Sequence, residues 1–202
     1  MKQLETEIKF YLTDLSSIRQ RILDLGAESR GRYFESNVRF EAPGQTLKKE
    51  KSLLRLRQDQ KAKLTYKSTP PESDNQFKIM RELEVEVSDF DTMHLILEAL
   101  GFHHEQVYEK WRETLVLDQT QFCLDNMPYG DFLEIEGPKQ DIKNFATQLG
   151  LRWNQRILLN YLHIFEILQK NLNLDFSDVT FDHFKNIEID LIDYLEILVA
   201  GK

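Results

Sequence analysis

Residues 2–12 read KQLETEIKFYL, and this stretch decides the fold. Leu4, Thr6, Ile8 and Phe10 alternate with Glu5, Glu7 and Lys9. Such alternation marks a β-strand, because successive side chains point to opposite faces. The apolar face needs only a core. The charged face is harder to place, since carboxylates two residues apart on one side of a strand repel unless something positive lies between them.

The same parity returns down the chain. Alternating runs bounded by turn residues predict strands near 4–12, 32–41, 52–59, 62–69, 78–88, 107–117, 120–126 and 131–137. The connectors DQKA (59–62), TPPESDNQ (69–76) and DNMPYGD (125–131) read as hairpin turns, so the sheet is expected to be largely antiparallel. Within each run the charges share one face: Glu35, Asn37, Arg39 and Glu41; Arg55 and Arg57; Lys67; Glu82, Glu84 and Glu86; Lys110 and Arg112; Asp125; Glu134 and Glu136.

One such face would be the solvated side of an antiparallel sheet. A solvated face, however, mixes Thr, Ser and Gln with its Lys, whereas these faces are nearly pure charge and sorted by sign within strands. Eight antiparallel strands can bury an apolar outer face beneath helices while the charged face curls inward and closes into a barrel. The expected class is therefore α+β: an eight-stranded antiparallel β-barrel, a tunnel lined with charge, and helices packed outside.

Three acidic strands are each followed by a helical pattern ending in Leu-Gly. In the first, Leu15, Ile18, Ile22 and Leu25 keep the helical spacing; Gly26, Gly101 and Gly150 are the expected C-caps, and an Asp precedes each helix. From Trp153 the signature changes. NQRILLNYLHIFEILQKNL (154–172) and NIEIDLIDYLEILV (186–199) both have helical spacing without a charged strand. Residues 1–170 are read as the tunnel domain and 171–202 as a helical appendage packed on it.

Composition sets the outer limits. With 202 residues, 41% hydrophobic and 30% charged, the chain has ordinary globular composition and enough length for a sizeable core. Its mean hydropathy of −0.48 leaves no room for an apolar membrane span. The start has no apolar run of signal-peptide length and Cys123 is the only cysteine, so a soluble cytoplasmic protein without an internal disulfide is expected. A net charge of −8 argues against general nucleic-acid binding, so any polyanion must meet a specific pocket. His103 and His104 follow a helix-ending Gly and read as an exposed turn, and Cys123 as a packed strand residue.

An interior holding both signs of charge is costly unless its charges are paired or ligated. Glu5, Glu7, Glu134 and Glu136 are hard oxygen donors suited to Mg²⁺ or Mn²⁺. Lys9, Arg55, Arg57, Lys67, Lys110 and Arg112 make a cage for a polyanion, the arginines supplying forked donors and the lysines compact charge. Acids for a metal beside bases for phosphate imply a polyphosphate substrate.

These residues also carry a resemblance. ETEIK, followed in order by ESNVRFEAP, LLRLR, LTYK, RELEVE, EKWR, LD and GDFLEIEG, resembles the CYTH superfamily, the triphosphate tunnel metalloenzymes, over residues 1 to about 165. That superfamily includes class IV adenylyl cyclases and thiamine, inorganic and fungal RNA triphosphatases. The resemblance implies a metal held by Glu5, Glu7, Glu134 and Glu136, with a second metal or Glu82 and Glu84 orienting the attacking water and Lys9 and Asp125 as further catalytic members. It leaves open which pair among Glu82, Glu84 and Glu86 faces the site. Arg39 is a secondary substrate-binding candidate, standing where relatives often carry Asp-Thr-Tyr-Phe-Asp. Hydrolysis of an inorganic, nucleoside or thiamine triphosphate is the leading expectation. Cyclisation of ATP to cyclic AMP and pyrophosphate is the alternative, and a non-catalytic polyphosphate- or nucleotide-binding module the second. The expected partner is a small-molecule triphosphate, with no nucleic acid and no membrane; a homodimer is left open.

Overall fold

The computed structural model describes residues 4–71 and 74–200, so Lys2 and Gln3 of the opening stretch and the centre of the 69–76 connector lie outside the described residues. The strands are β1 (Leu4–Leu12), β2 (Glu28–Glu41), β3 (Ser52–Gln58), β4 (Ala62–Ser68), β5 (Lys78–Val87), β6 (His103–Leu117), β7 (Thr120–Met127) and β8 (Gly130–Glu136). The helices are α1 (Leu15–Asp24), α2 (Thr46–Lys49), α3 (Phe90–Ala99), α4 (Lys139–Gln148), α5 (Tyr161–Leu172) and α6 (Leu195–Leu198).

All eight strands pair antiparallel and close in the order β1-β5-β4-β3-β2-β6-β7-β8, with β8 returning to β1 through Lys9↔Glu134. The period-two pattern fixes the outcome. A slip of one residue would put every charge outside and every apolar side chain in the tunnel. Outside, Ile8, Ile22, Phe122, Leu133, Ile135 and Ile142 are fully buried where α1 and α4 cover β1, β7 and β8. Each such side chain contributes about 1.5–3 kcal/mol of burial. A second cluster joins α3 to β2 and β3 through Val38, Phe40, Leu54, Leu56 and Leu97. The cover is incomplete over β5, where Leu83 and Val85 are 43% and 57% exposed.

Gly26, Gly101 and Gly150 take positive φ and end α1, α3 and α4. In each case the glycine N–H and the next residue's N–H bond back to carbonyls inside the last turn, as Gly26 and Ala27 do to Leu23 and Ile22. Asp14 and Asp89 cap α1 and α3 by accepting the N–H groups of Ser17 and Thr92. The third expected cap is not one: Pro138 occupies that position and Asp141 lies inside the first turn of α4.

The C-terminal reading is corrected in part. Helix α5 occupies only residues 161–172 of the first segment, and in the second only a 3-10 turn at Leu191–Tyr194 and the single turn of α6 form. Their apolar residues are still spent on burial: Leu191 and Leu198 join Phe165, Leu168, Val179 and Phe184 in one cluster over β6 and β8. Val179 continues the sheet, pairing in parallel with Tyr108 on an edge of β6 that β7 does not reach. His103 and His104 form the exposed start of β6 rather than a turn.

Candidate functional site

The charged faces enclose a cavity of about 990 Å³. Closure of the ring brings both signs together, with Lys9 and Lys78 among the acids and Glu35, Glu84 and Asp125 among the arginines. The neighbouring strands β5, β1 and β8 bring Glu82, Glu5, Glu7, Glu134 and Glu136 to one side, and β4, β3 and β6 bring Lys67, Arg55, Arg57, Lys110 and Arg112 to the others; all line the cavity. The structure therefore brings the expected metal and anion candidates into one chamber. Glu82 and Glu84 line it too, whereas Glu86 pairs with Lys61 at 2.7 Å among exposed side chains.

On the acidic side, Lys67 bridges Glu5 and Glu82, the latter at 3.1 Å, and Lys78 Nζ donates to Glu7 at 2.6 Å. Burial and then the neighbouring Glu7 raise the Glu5 carboxyl to about 7. Burial would raise Glu7 as well, but Lys78, Lys9 and Lys67 together outweigh it and keep that group lowered. Glu134 meets Lys9 at 3.1 Å and Arg112; against burial, Lys9, Arg112 and Lys110 hold it well below the usual carboxylate range. Lys78 was not among the expected residues. It shares the parity of Glu82 and Glu84, but Met80 interrupts the charged run and hides it.

Lys9 is fixed from several directions. Its backbone pairs with Ile157, its Nζ donates to the Leu159 carbonyl at 3.0 Å, and the ammonium lies 4.0 Å from the Tyr161 ring centroid. Burial lowers its pKa. Asp125, fully buried, accepts from Arg112 Nε at 2.6 Å, Lys110 Nζ at 3.2 Å and the Tyr161 hydroxyl at 2.7 Å. With its lone pairs so occupied, Asp125 acts on the basic wall as an anchor. The role of Tyr161 could not be read from sequence, because it depends on α5 docking against a strand far away in the chain.

On the basic wall, Glu84 takes hydrogen bonds from Arg57, Lys63 and Thr65, and burial notwithstanding these neighbours keep its carboxyl lowered. Arg55 donates to the Tyr108 hydroxyl at 3.2 Å and to Thr65, while its buried Nε finds no acceptor among the described residues. Glu35 stands between Arg57 and Lys110, at 3.6 and 3.5 Å; although burial opposes it, Lys110, Arg112 and Arg57 lower this carboxyl to about 2. Glu41 is turned out of the set: its carboxylate accepts the N–H groups of Ala42, Leu47 and Lys48. Arg39 lines the cavity 3.7 Å from Glu41. Cys123 faces the tunnel rather than the outer core, and burial pushes its thiol up to about 12.

Among the described residues no three His, Cys, Asp or Glu side chains already form a metal cage; Glu5, Glu7 and Glu134 are each turned onto a lysine. The donor chemistry nevertheless fits a hard dication. Burial first, and then the neighbouring Glu7 and Glu82, raise the Glu5 carboxyl to about 7, and a divalent cation relieves that repulsion.

Residues 3–157 match the CYTH domain family. No curated protein matches the chain. Among solved structures, the PH1012 protein of Pyrococcus horikoshii OT3 superposes with a TM-score of 0.67 at 30% identity, over 78% of this chain and 96% of that one. A candidate adenylate cyclase from Vibrio parahaemolyticus gives 0.73 at 20% identity, over 82% and 99%. A candidate adenylyl cyclase from Hippeastrum, described as having a dominant triphosphatase activity, gives 0.57 at 19%, over 81% and 95%. At the two lower identities the likeness is one of fold.

Proposed function

This chain belongs to the CYTH domain family, and from that premise we propose that it hydrolyses a triphosphate-bearing small molecule inside the barrel with a divalent cation. The observation that carries this reading is the concentration of charge in one cavity: Glu5, Glu7, Glu82, Glu134 and Glu136 line it together with Lys9, Arg55, Arg57, Lys67, Lys110 and Arg112. A phosphate oxygen supplies the acceptor that buried Arg55 Nε lacks. The internal ion pairs are placeholders, for Glu35 and Glu84 occupy the arginines much as phosphate would.

Glu5, Glu7, Glu134 and Glu136 would hold Mg²⁺ or Mn²⁺, which neutralises phosphate charge and polarises a phosphoryl oxygen when bound. The chain's own cations do the rest. Arg55, Arg57 and Lys67 bind and orient the phosphates, and Lys9, Lys110 and Arg112 meet negative charge as it builds on the leaving oxygens. Glu82, held among the described residues only through Lys67, is the acid best placed to take a hydrogen bond from water. Asp125 and Tyr161 keep Lys9, Lys110 and Arg112 in position.

Phosphorus NMR of inorganic triphosphate and of ATP, each with Mg²⁺ and then Mn²⁺, tests the reading. Orthophosphate is the expected product. Cyclic AMP with pyrophosphate from ATP, and no reaction on inorganic triphosphate, replaces the hydrolase with a cyclase. Affinity that persists in chelator, with no turnover of either substrate in Mg²⁺ or Mn²⁺, reduces the protein to a binding module. Arg57→Ala is expected to raise the KM for triphosphate about tenfold to a hundredfold, the worth of one charge-assisted contact. An unchanged KM removes Arg57 from the phosphate cage.

A further inference from the structure

On three neighbouring strands the charge of the inner wall stops short of one end of the barrel. The inward positions run Lys110, Arg112, Thr114 on β6; Asp125, Cys123, Gln121 on β7; and Asn37, Glu35, Tyr33 on β2. Tyr33, Thr114, Cys123 and Gln121 all line the cavity. Past Arg112, therefore, the lining that these strands supply is an aromatic ring, a hydroxyl, a thiol and an amide, without charge. Tyr33 stands opposite Arg112 across β2 and β6, and two residues, about 7 Å, beyond Glu35.

The tyrosine is held as a platform. Between Ser29 and Arg32, β2 carries one residue more than β6 opposite it. In this bulge Gly31 takes φ +102° and yields its side-chain space, because a Cβ there would collide with the Tyr33 hydroxyl and ring. The hydroxyl itself donates to the Arg30 carbonyl at 3.0 Å. That end of the ring is fixed, yet the residue remains 37% exposed where it lines the cavity. Phe34 and Trp111 face outward and pack on each other at 5.4 Å, so neither covers it. A ring with its hydroxyl already bonded has its π face left to offer, at little cost in side-chain freedom.

We propose that Tyr33, Thr114 and Gln121 form a subsite for the nucleobase of a nucleoside triphosphate, the base stacking on Tyr33 and its polar edge meeting the hydroxyl and the amide. The proposal rests on the tunnel binding triphosphate, and it names the organic group that the charged cage leaves unspecified. A phosphate gains nothing from an uncharged wall, whereas a base has a π face and neutral donors and acceptors to match it. The Thr114 hydroxyl is within reach only of the Cys123 thiol, at 3.9 Å, a weak partner that a base edge replaces. Arg112, in register with Tyr33, disfavours a cationic ring such as a thiazolium at the same place.

Steady-state kinetics of the full chain with Mg²⁺, on ATP, thiamine triphosphate and inorganic triphosphate, test this. Tyr33→Ala is expected to raise the KM for ATP about fivefold to a hundredfold, the range of one base–aromatic stack, and to leave inorganic triphosphate unchanged. Tyr33→Phe keeps the ring and should keep the wild-type KM for ATP, while Thr114→Val raises it severalfold. Equal losses on ATP and inorganic triphosphate would make Tyr33 merely structural. That result, an unchanged KM for ATP, a loss confined to thiamine triphosphate, or turnover of inorganic triphosphate without any of ATP overturns the subsite alone. Absence of turnover with all three substrates overturns the tunnel reading and the subsite with it.

Discussion

Asp125→Ala is expected to lower folding stability by about 3–5 kcal/mol, the cost of removing one partner from a buried charge network. Asp125 is fully buried and is the common acceptor for Arg112, Lys110 and the Tyr161 hydroxyl. Alanine would leave a guanidinium and an ammonium facing each other with only Glu134 and Glu35 to separate them. The phenol that fastens the start of α5 to β7 would lose its acceptor as well. Urea unfolding with an unchanged m-value measures the loss directly. A shift below 1 kcal/mol would mean that tunnel water screens these cations, and the anchoring role assigned to Asp125 would fall. Asp125→Asn, which keeps the volume and one acceptor, should lose less.

The same network marks the limit of what the sequence discloses. Parity is a local property of a strand, so the inward placement of Glu5, Glu7, Arg55, Arg57, Lys110, Arg112 and Glu134 could be read two residues at a time. The closed ring followed, because no open sheet can hide so much charge on one face. Contacts between elements distant in sequence left no such trace. Tyr161 looks like one more apolar position in the α5 stripe, and only the docked helix brings its hydroxyl to Asp125. Lys78 was concealed by Met80, though the lysine proves to be the partner of Glu7. Residues 186–199 kept helical spacing without a continuous helix, because Leu191 and Leu198 reach the α5 cluster from short turns and have no need of a continuous stripe. Glu41 shows the converse failure: its parity is right, but the N–H groups of the β2–β3 connection capture its carboxylate before the tunnel can use it.

Glu7→Gln is expected to lower kcat/KM on the order of 10³-fold at every pH, the consequence of losing several kcal/mol of metal-dependent charge stabilisation. Glu5→Gln should act differently, because the two carboxylates titrate in different ranges. Burial and Glu7 raise Glu5 to about 7, while Lys78, Lys9 and Lys67 together overcome burial and keep Glu7 lowered. For Glu5 the folded state holds the proton more tightly than the unfolded one. Its contribution to stability is therefore complete below the ordinary value of 4.5 and is lost as pH rises through about 7. Glu7 has the opposite sign, contributing above its unfolded value and losing that as pH falls. Because a cation must displace the Glu5 proton, activity should climb with pH around a midpoint near 7, and added Mg²⁺ or Mn²⁺ should move that midpoint down. In Glu5→Gln the rising limb disappears. In Glu7→Gln the residual limb moves to lower pH, since the second largest cause of the raised Glu5 value has gone. A limb that stays near pH 7 in Glu5→Gln would assign the titration to another group, and wild-type kcat/KM in Glu7→Gln would remove the acidic side of the barrel from the chemistry.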